Sequence, residues 1–175
     1  MILNAKQLRT TLPDPEEAAS IKKNPVSIIL DNVLDTYNVG SIFRLADAVA
    51  AKKVYLCGET LTPPNSRIKK ASINTWQWVD WRYAPTALDA IAQCQMTNDK
   101  CQIVAVEQDE RSRPFYSVNY SFPLAIVVGN ETTGVSKEVL DMADTIIELP
   151  MWGINKSLNV MVSLGIVLYE IMKTL

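Results

Sequence analysis

Short apolar runs alternate along this chain with stretches whose apolar residues recur every three or four positions. Residues 26–30 (VSIIL), 53–57, 102–106, 124–128 and 145–149 are runs of the first kind, bounded by turn-forming or polar residues, and predict buried strands. Residues 76–81 predict another strand from their aromatic and β-branched content. Helical spacing predicts a helix over 38–51, with Ile42, Leu45, Ala46 and Val49 on its apolar stripe, and one over 86–95, with Leu88, Ile91 and Ala92 on one face. Residues 67–71 predict a short basic helix, and 136–142 a short helix with Ser136 as its N-cap. A closing apolar helix starts near Lys156 or Ser157. Strands apolar on both faces, alternating with helices, imply an α/β fold with a mainly parallel sheet flanked by helices.

The 175 residues suit one domain, with residues 1–25 as an N-terminal extension. With 48% hydrophobic and 21% charged residues the composition is that of a soluble protein. No run reaches the length of a membrane span, and the N-terminus lacks the apolar core of a signal peptide. Ser157, Asn159, Ser163, Glu170 and Lys173 interrupt the closing apolar segment, which therefore reads as a core helix or a dimer face. Cys57, Cys94 and Cys101 have no metal-ligand spacing and no even disulfide set, so they read as reduced thiols in the cytoplasm, with no metal site.

The chain has no histidine, which removes Ser-His and Cys-His nucleophilic sites, imidazole zinc sites and the commonest general base. A formal net charge of −2 gives no bulk attraction to nucleic acid. Local clusters at Lys22-Lys23, Lys52-Lys53, Arg67/Lys69/Lys70 and Arg111/Arg113 each read, alone, as solvated surface.

Polar residues gather beyond predicted strands, where open α/β sheets bind ligands. Asn38, Gly40 and Arg44 form one group, Gly129, Asn130, Glu131 and Gly134 a second, and Ser157 and Asn159 a third. Taken singly they have plain readings. Asn38 would cap a helix, Arg44 would pair with Asp47, Ser157 would cap the last helix, and Glu131 would be a solvated loop residue. Gly129, Gly134 and Gly153 allow either a tight turn or close approach of the backbone to a ligand, and a turn is the commoner use. Neither a GxGxxG fingerprint nor a P-loop is present.

Taken together the groups resemble the three motifs of the SpoU (TrmH-like) RNA 2′-O-ribose methyltransferases of the SPOUT class. Asn38-Val39-Gly40-Ser41-Ile42-Phe43-Arg44 is similar to the first motif, and Val128-Gly129-Asn130-Glu131-Thr132-Thr133-Gly134 to the second. Leu149-Pro150-Met151-Trp152-Gly153 through Ser157-Leu158-Asn159-Val160 is similar to the third. The resemblance implies a deep C-terminal trefoil knot, here over about residues 124–175, a rare exception to unknotted connections. It also implies S-adenosylmethionine as cofactor, held by Val106, Gly129, Leu149, Met151, Gly153, Ser157 and Leu158. The catalytic set implied is Asn38, Arg44, Glu131, Ser157 and Asn159.

In the family proposal the arginine accepts or relays the proton of the ribose hydroxyl. A guanidinium is protonated at ordinary pH, so the expected role of Arg44 is to bind the phosphate beside the target ribose, with Glu131 orienting it. Arg67, Lys69 and Lys70, with Arg9, Lys22 and Lys23, are the expected phosphate contacts. The resemblance further implies a homodimer through the closing helix and an RNA substrate, tRNA ahead of rRNA because compact members commonly take it. Met161 departs from the serine common after Ser-Leu-Asn-Val. The competing readings are a non-catalytic knotted RNA-binding or assembly factor and a base-modifying knotted methyltransferase.

Overall fold

The structure is a computed structural model that describes residues 3–98 and 100–175. The side chains of Ala5 and Arg9 lie outside the described set, and so does Arg9 as a phosphate contact. Seven strands form one sheet in the spatial order β3 (Trp81–Ala84), β2 (Ala51–Cys57), β1 (Asn24–Asp31), β6 (Leu124–Gly129), β4 (Gln102–Val106), β7 (Thr145–Glu148) and β5 (Arg113–Pro114). Every pairing between these strands is parallel. The expected mainly parallel α/β architecture is therefore the observed one.

The strands read as apolar runs because both faces of the sheet are covered. Along β1, Val26, Ile28 and Leu30 enter one core and Ile29 the other. The first core is closed by α3 (Thr36–Ala48), α4 (Ser66–Ser72) and α7 (Val160–Met172), the second by α5 (Ala87–Thr97) and α6 (Lys137–Met142). Leu164, Val167, Leu168 and Ile171 of α7 are fully buried in the first core. Each such side chain contributes about 1.5–3 kcal/mol by burial. Two short helices, α1 (Ala5–Thr10) and α2 (Pro15–Ser20), precede the sheet, and the Asn74 amide ties α1 down by donating to the Leu8 carbonyl at 2.8 Å.

Three expectations about elements are corrected. Residues 76–81 are not a strand: Thr75–Gln77 is a 3-10 turn entered through left-handed Ile73 and Asn74 (φ 52° and 67°), and β3 begins only at Trp81. Trp76 and Trp78 pack on the first core from this turn, and the Trp78 indole donates to Asp47 at 2.7 Å. Aromatic content thus reported packing rather than pleat. The helix expected over 38–51 is α3, which starts at Thr36 under an Asp35 cap, not an Asn38 cap, and gives way to β2 at Ala51. The closing helix starts at Val160; its cap is Asn159 rather than Ser157, accepting from the Met161 and Val162 amides at 2.9 and 3.4 Å. Strand β5 and the two N-terminal helices had no clear signal in the pattern.

Candidate active site

Beyond the carboxyl ends of three neighbouring strands, β6, β4 and β7, lies a cleft of about 510 Å³. Val106, Gly129, Leu149, Met151, Ser157 and Leu158 line it, together with Glu131 and Asn159. Gly153 is not among the lining residues, and a side chain there would meet nothing within 4 Å. Glu107, Gln108, Glu148 and Lys156 also line the cleft, beyond the site residues expected from the motifs. The available signal was a pair of polar residues directly after an apolar strand, at the end where such sheets bind ligands.

The motif-two loop folds back on its own strand. Asn130 and Gly134 exchange backbone hydrogen bonds at 3.0 and 2.9 Å, and the Asn130 side chain accepts from the Thr132 and Thr133 amides. A β-carbon on Gly129 would lie 2.2 Å from the carbonyl carbon of Gly134 and the nitrogen of Val135. Gly134 sits at φ +73°. Both glycines therefore serve the turn: the backbone that approaches Gly129 is the chain's own. Buried Asp31, at the end of β1, anchors the far side of this loop by accepting from the Ser136 amide at 2.8 Å. Ser136 stands at the N-cap of α6 as expected, though its side chain makes no capping bond.

Glu131 connects this loop to motif one. Its carboxylate accepts from the Leu34 and Asp35 amides, each at 3.1 Å, and from the Asn38 amide group at 2.9 Å. Burial raises its pKa, but the hydrogen bonds from Asn38 and the backbone amides outweigh it and hold the carboxyl below its ordinary value. Asn38, 5% exposed, accepts in turn from the Asn159 amide group at 2.9 Å. One hydrogen-bonded row, Glu131–Asn38–Asn159, thus joins all three motifs, and Asn159 spends its other atom capping α7. Ser157 lies exposed on the cleft wall, its amide making a long contact of 3.4 Å with the Asn155 side chain.

Arg44 stands apart from that row. Six residues after Asn38 on the same helix, it is turned about 120° away and lies about 9 Å further along the axis. It is exposed, and among the described residues it has no hydrogen-bond or ion-pair partner. Asp47 is engaged with Trp78 and Glu131 with the loop amides, so neither expected pairing of Arg44 forms. Gly40, one turn before Arg44, lets α4 pack closely: an added β-carbon would lie 2.6 Å from that of Ala71 and 2.8 Å from the Ile68 carbonyl oxygen. The contact carries exposed Arg67, Lys69 and Lys70 on α4, and none of the three has an ion-pair partner among the described residues.

The cleft suits S-adenosylmethionine. Its volume falls in the roughly 300–1,000 Å³ typical of ligand pockets. Its charged lining is Glu107, Glu131 and Glu148 against Lys156, which favours a ligand with a sulfonium and an ammonium against one carboxylate.

Comparisons with known proteins give the family. The model of the SpoU rRNA Methylase family matches residues 25–169. A tRNA (guanosine(18)-2′-O)-methyltransferase of Aquifex aeolicus is 32% identical over 97% of this chain and 79% of its own length. A 23S rRNA (guanosine-2′-O-)-methyltransferase of Haemophilus influenzae is 30% identical over 97% of this chain and 67% of its own length. An AdoMet-bound rRNA methyltransferase from Sinorhizobium meliloti superposes with a TM-score of 0.79 at 28% identity, over 96% of this chain and 60% of that one. The element order described above is consistent with the C-terminal knot of this class. The chain belongs to the SpoU methylase family.

Proposed function

We propose that this chain transfers a methyl group from S-adenosylmethionine to a ribose 2′-hydroxyl of RNA, tRNA ahead of rRNA. The observation that carries the proposal is the Glu131–Asn38–Asn159 row, which ties the first motif to the wall of an acidic cleft sized for the methyl donor. When bound, S-adenosylmethionine supplies an electrophilic methyl group on sulfur. The 2′-oxygen forms the new bond to carbon as the carbon–sulfur bond breaks, and the hydroxyl proton leaves to the neighbouring phosphate or to water. Arg44, exposed and without a partner among the described residues, binds that phosphate and sets the hydroxyl in line. Glu131 acts through Asn38 as a positioning residue; Asn159 and Ser157 face the ribose from the cleft wall. The cations of α4 extend the phosphate path.

Two further features belong to this reading. Leu158, Val162, Ile166 and Tyr169 form an exposed apolar stripe along α7 and the residue before its cap, 41–57% exposed, and a second copy of the chain covers it in a homodimer. Cys57, Cys94 and Cys101 are free and buried, which suits the reducing cytoplasm. Titration of the purified protein with S-adenosylmethionine tests the reading. Saturable binding that weakens when Leu158→Asp intrudes on the cleft supports it; absence of binding, with and without RNA, contradicts it.

A further inference from the structure

We infer that Glu107 and Gln108 are positioning residues that hold the two walls of the methyl-donor cleft at their working separation. They follow β4 directly, between the motif-two loop and the loop 150–157. Glu107 faces the first wall: its carboxylate accepts from the Val135 amide and from the Gln108 amide, both at 2.8 Å. Gly134 lies so close that a β-carbon there would stand 2.1 Å from Glu107 Oε2. Gln108 faces the second wall, where its side-chain amide donates to the Lys156 carbonyl.

The second bond matters because little else holds that loop. Residues 152–159 are all exposed, with Trp152 at 89% and Ile154 at 104%. Among the described residues, the only other hydrogen bond to residues 150–157 is the internal 3.4 Å contact between Ser157 and Asn155. Between the half-buried residues Leu149 to Met151 and the Asn159 cap, one hydrogen bond, to the Lys156 carbonyl, therefore ties the loop to the body of the protein. Met151, Asn155, Lys156 and Ser157 of this loop line the cleft, so its position fixes the cleft width. A segment with few contacts opens at low free energy, and a single tie shifts that equilibrium toward the closed form. Rigid elements on either side then present the lining groups without a large ordering cost on binding.

The inference rests on the cleft being the S-adenosylmethionine site, and the test separates the two. Trypsin cleavage after Lys156 is followed in the full chain without cofactor, for the wild type, Gln108→Ala and Gln108→Glu, the last retaining the size of the side chain but not the donor. S-adenosylmethionine affinity and steady-state kinetics are measured on the same proteins. Both variants are expected to be cut several-fold faster after Lys156, with cleavage elsewhere unchanged. Their Kd for S-adenosylmethionine rises roughly three- to tenfold, as loss of one hydrogen bond implies, with the defect in KM rather than kcat. Unchanged cleavage in both variants overturns the tie, as does a fall in kcat with Kd unaltered. Faster cleavage after Lys156 in a protein whose wild type binds no S-adenosylmethionine upholds the tie and overturns the cleft assignment.

Discussion

Asn38 and Asn159 are 121 residues apart in the chain, and the Asn159 amide group donates to the Asn38 side-chain oxygen at 2.9 Å. Asn38 sits inside α3 and Asn159 caps α7, so this bond joins the helix that carries Arg44 to the helix that closes the core. Asn38 has no freedom left, because its own amide group is held by Glu131. The orientation of both side chains follows from this row: Glu131 accepts, Asn38 relays, and Asn159 gives its amide to Asn38 and its oxygen to α7.

Asn159→Asp separates the two duties of Asn159. An aspartate still caps α7 and its charge suits a helix N-terminus, by about 0.3–1 kcal/mol. It cannot donate to Asn38. We expect a stability change of about 1 kcal/mol or less with a loss of turnover of roughly tenfold or more. Thermal unfolding and single-turnover methyl transfer check the two halves; equal losses in a simple destabilisation would refute the separation.

Glu131→Gln removes the charge and keeps a single acceptor oxygen for three donors, so at least one N–H meets the new amide nitrogen; the expected cost is about 1–3 kcal/mol. The pH dependence has a definite sign. The folded pKa of Glu131 is depressed, so its contribution is complete above the unfolded value of about 4.3 and is lost as pH falls through the lower folded value. Denaturant titrations of wild type and variant should therefore differ at neutral pH and converge in acid. A constant difference across that range would contradict the clamp.

Gly40→Ala should destabilise by about 1–3 kcal/mol, since the new methyl group meets Ala71 at 2.6 Å and the α4 backbone at 2.8 Å. Displacing α4 moves Arg67, Lys69 and Lys70, so RNA affinity and its salt dependence should fall together. Gly165→Ala is the control: its β-carbon meets only Leu45 side-chain carbons at 3.5 and 3.7 Å, and alanine favours the helix by up to about 1 kcal/mol. Equal effects at both sites would remove the packing argument.

Much of the fold was legible because its strands are buried on both faces and so read as unbroken apolar runs, as in residues 124–128. The start of α7 was not, since loop 150–157 has the same mix of apolar and polar residues as a helix and only the Asn159 cap marks the boundary. The site was legible as three motifs. How they join was not, because Glu131 reaches Asn38 across 93 residues and neither side chain signals its partner. The expected pairs of Arg44 with Asp47 or Glu131 were reasonable from charge, but both acceptors are taken by nearer donors, and Arg44 has no partner among the described residues.

Ile166→Glu puts a charge into the middle of the exposed stripe on α7 without disturbing its buried face. Sedimentation should show the wild type as a dimer and the variant as a monomer of unchanged secondary structure. A wild-type monomer at micromolar concentration would show that the stripe serves another purpose.

The most direct measurement incubates RNA with the purified protein and methyl-labelled S-adenosylmethionine, digests it to nucleosides and identifies the labelled product, for wild type and Arg44→Ala. The account predicts label in 2′-O-methylnucleosides with the wild type, and nearly complete loss of transfer with Arg44→Ala while S-adenosylmethionine still binds. Label in a methylated base, or undiminished transfer by Arg44→Ala, would contradict it.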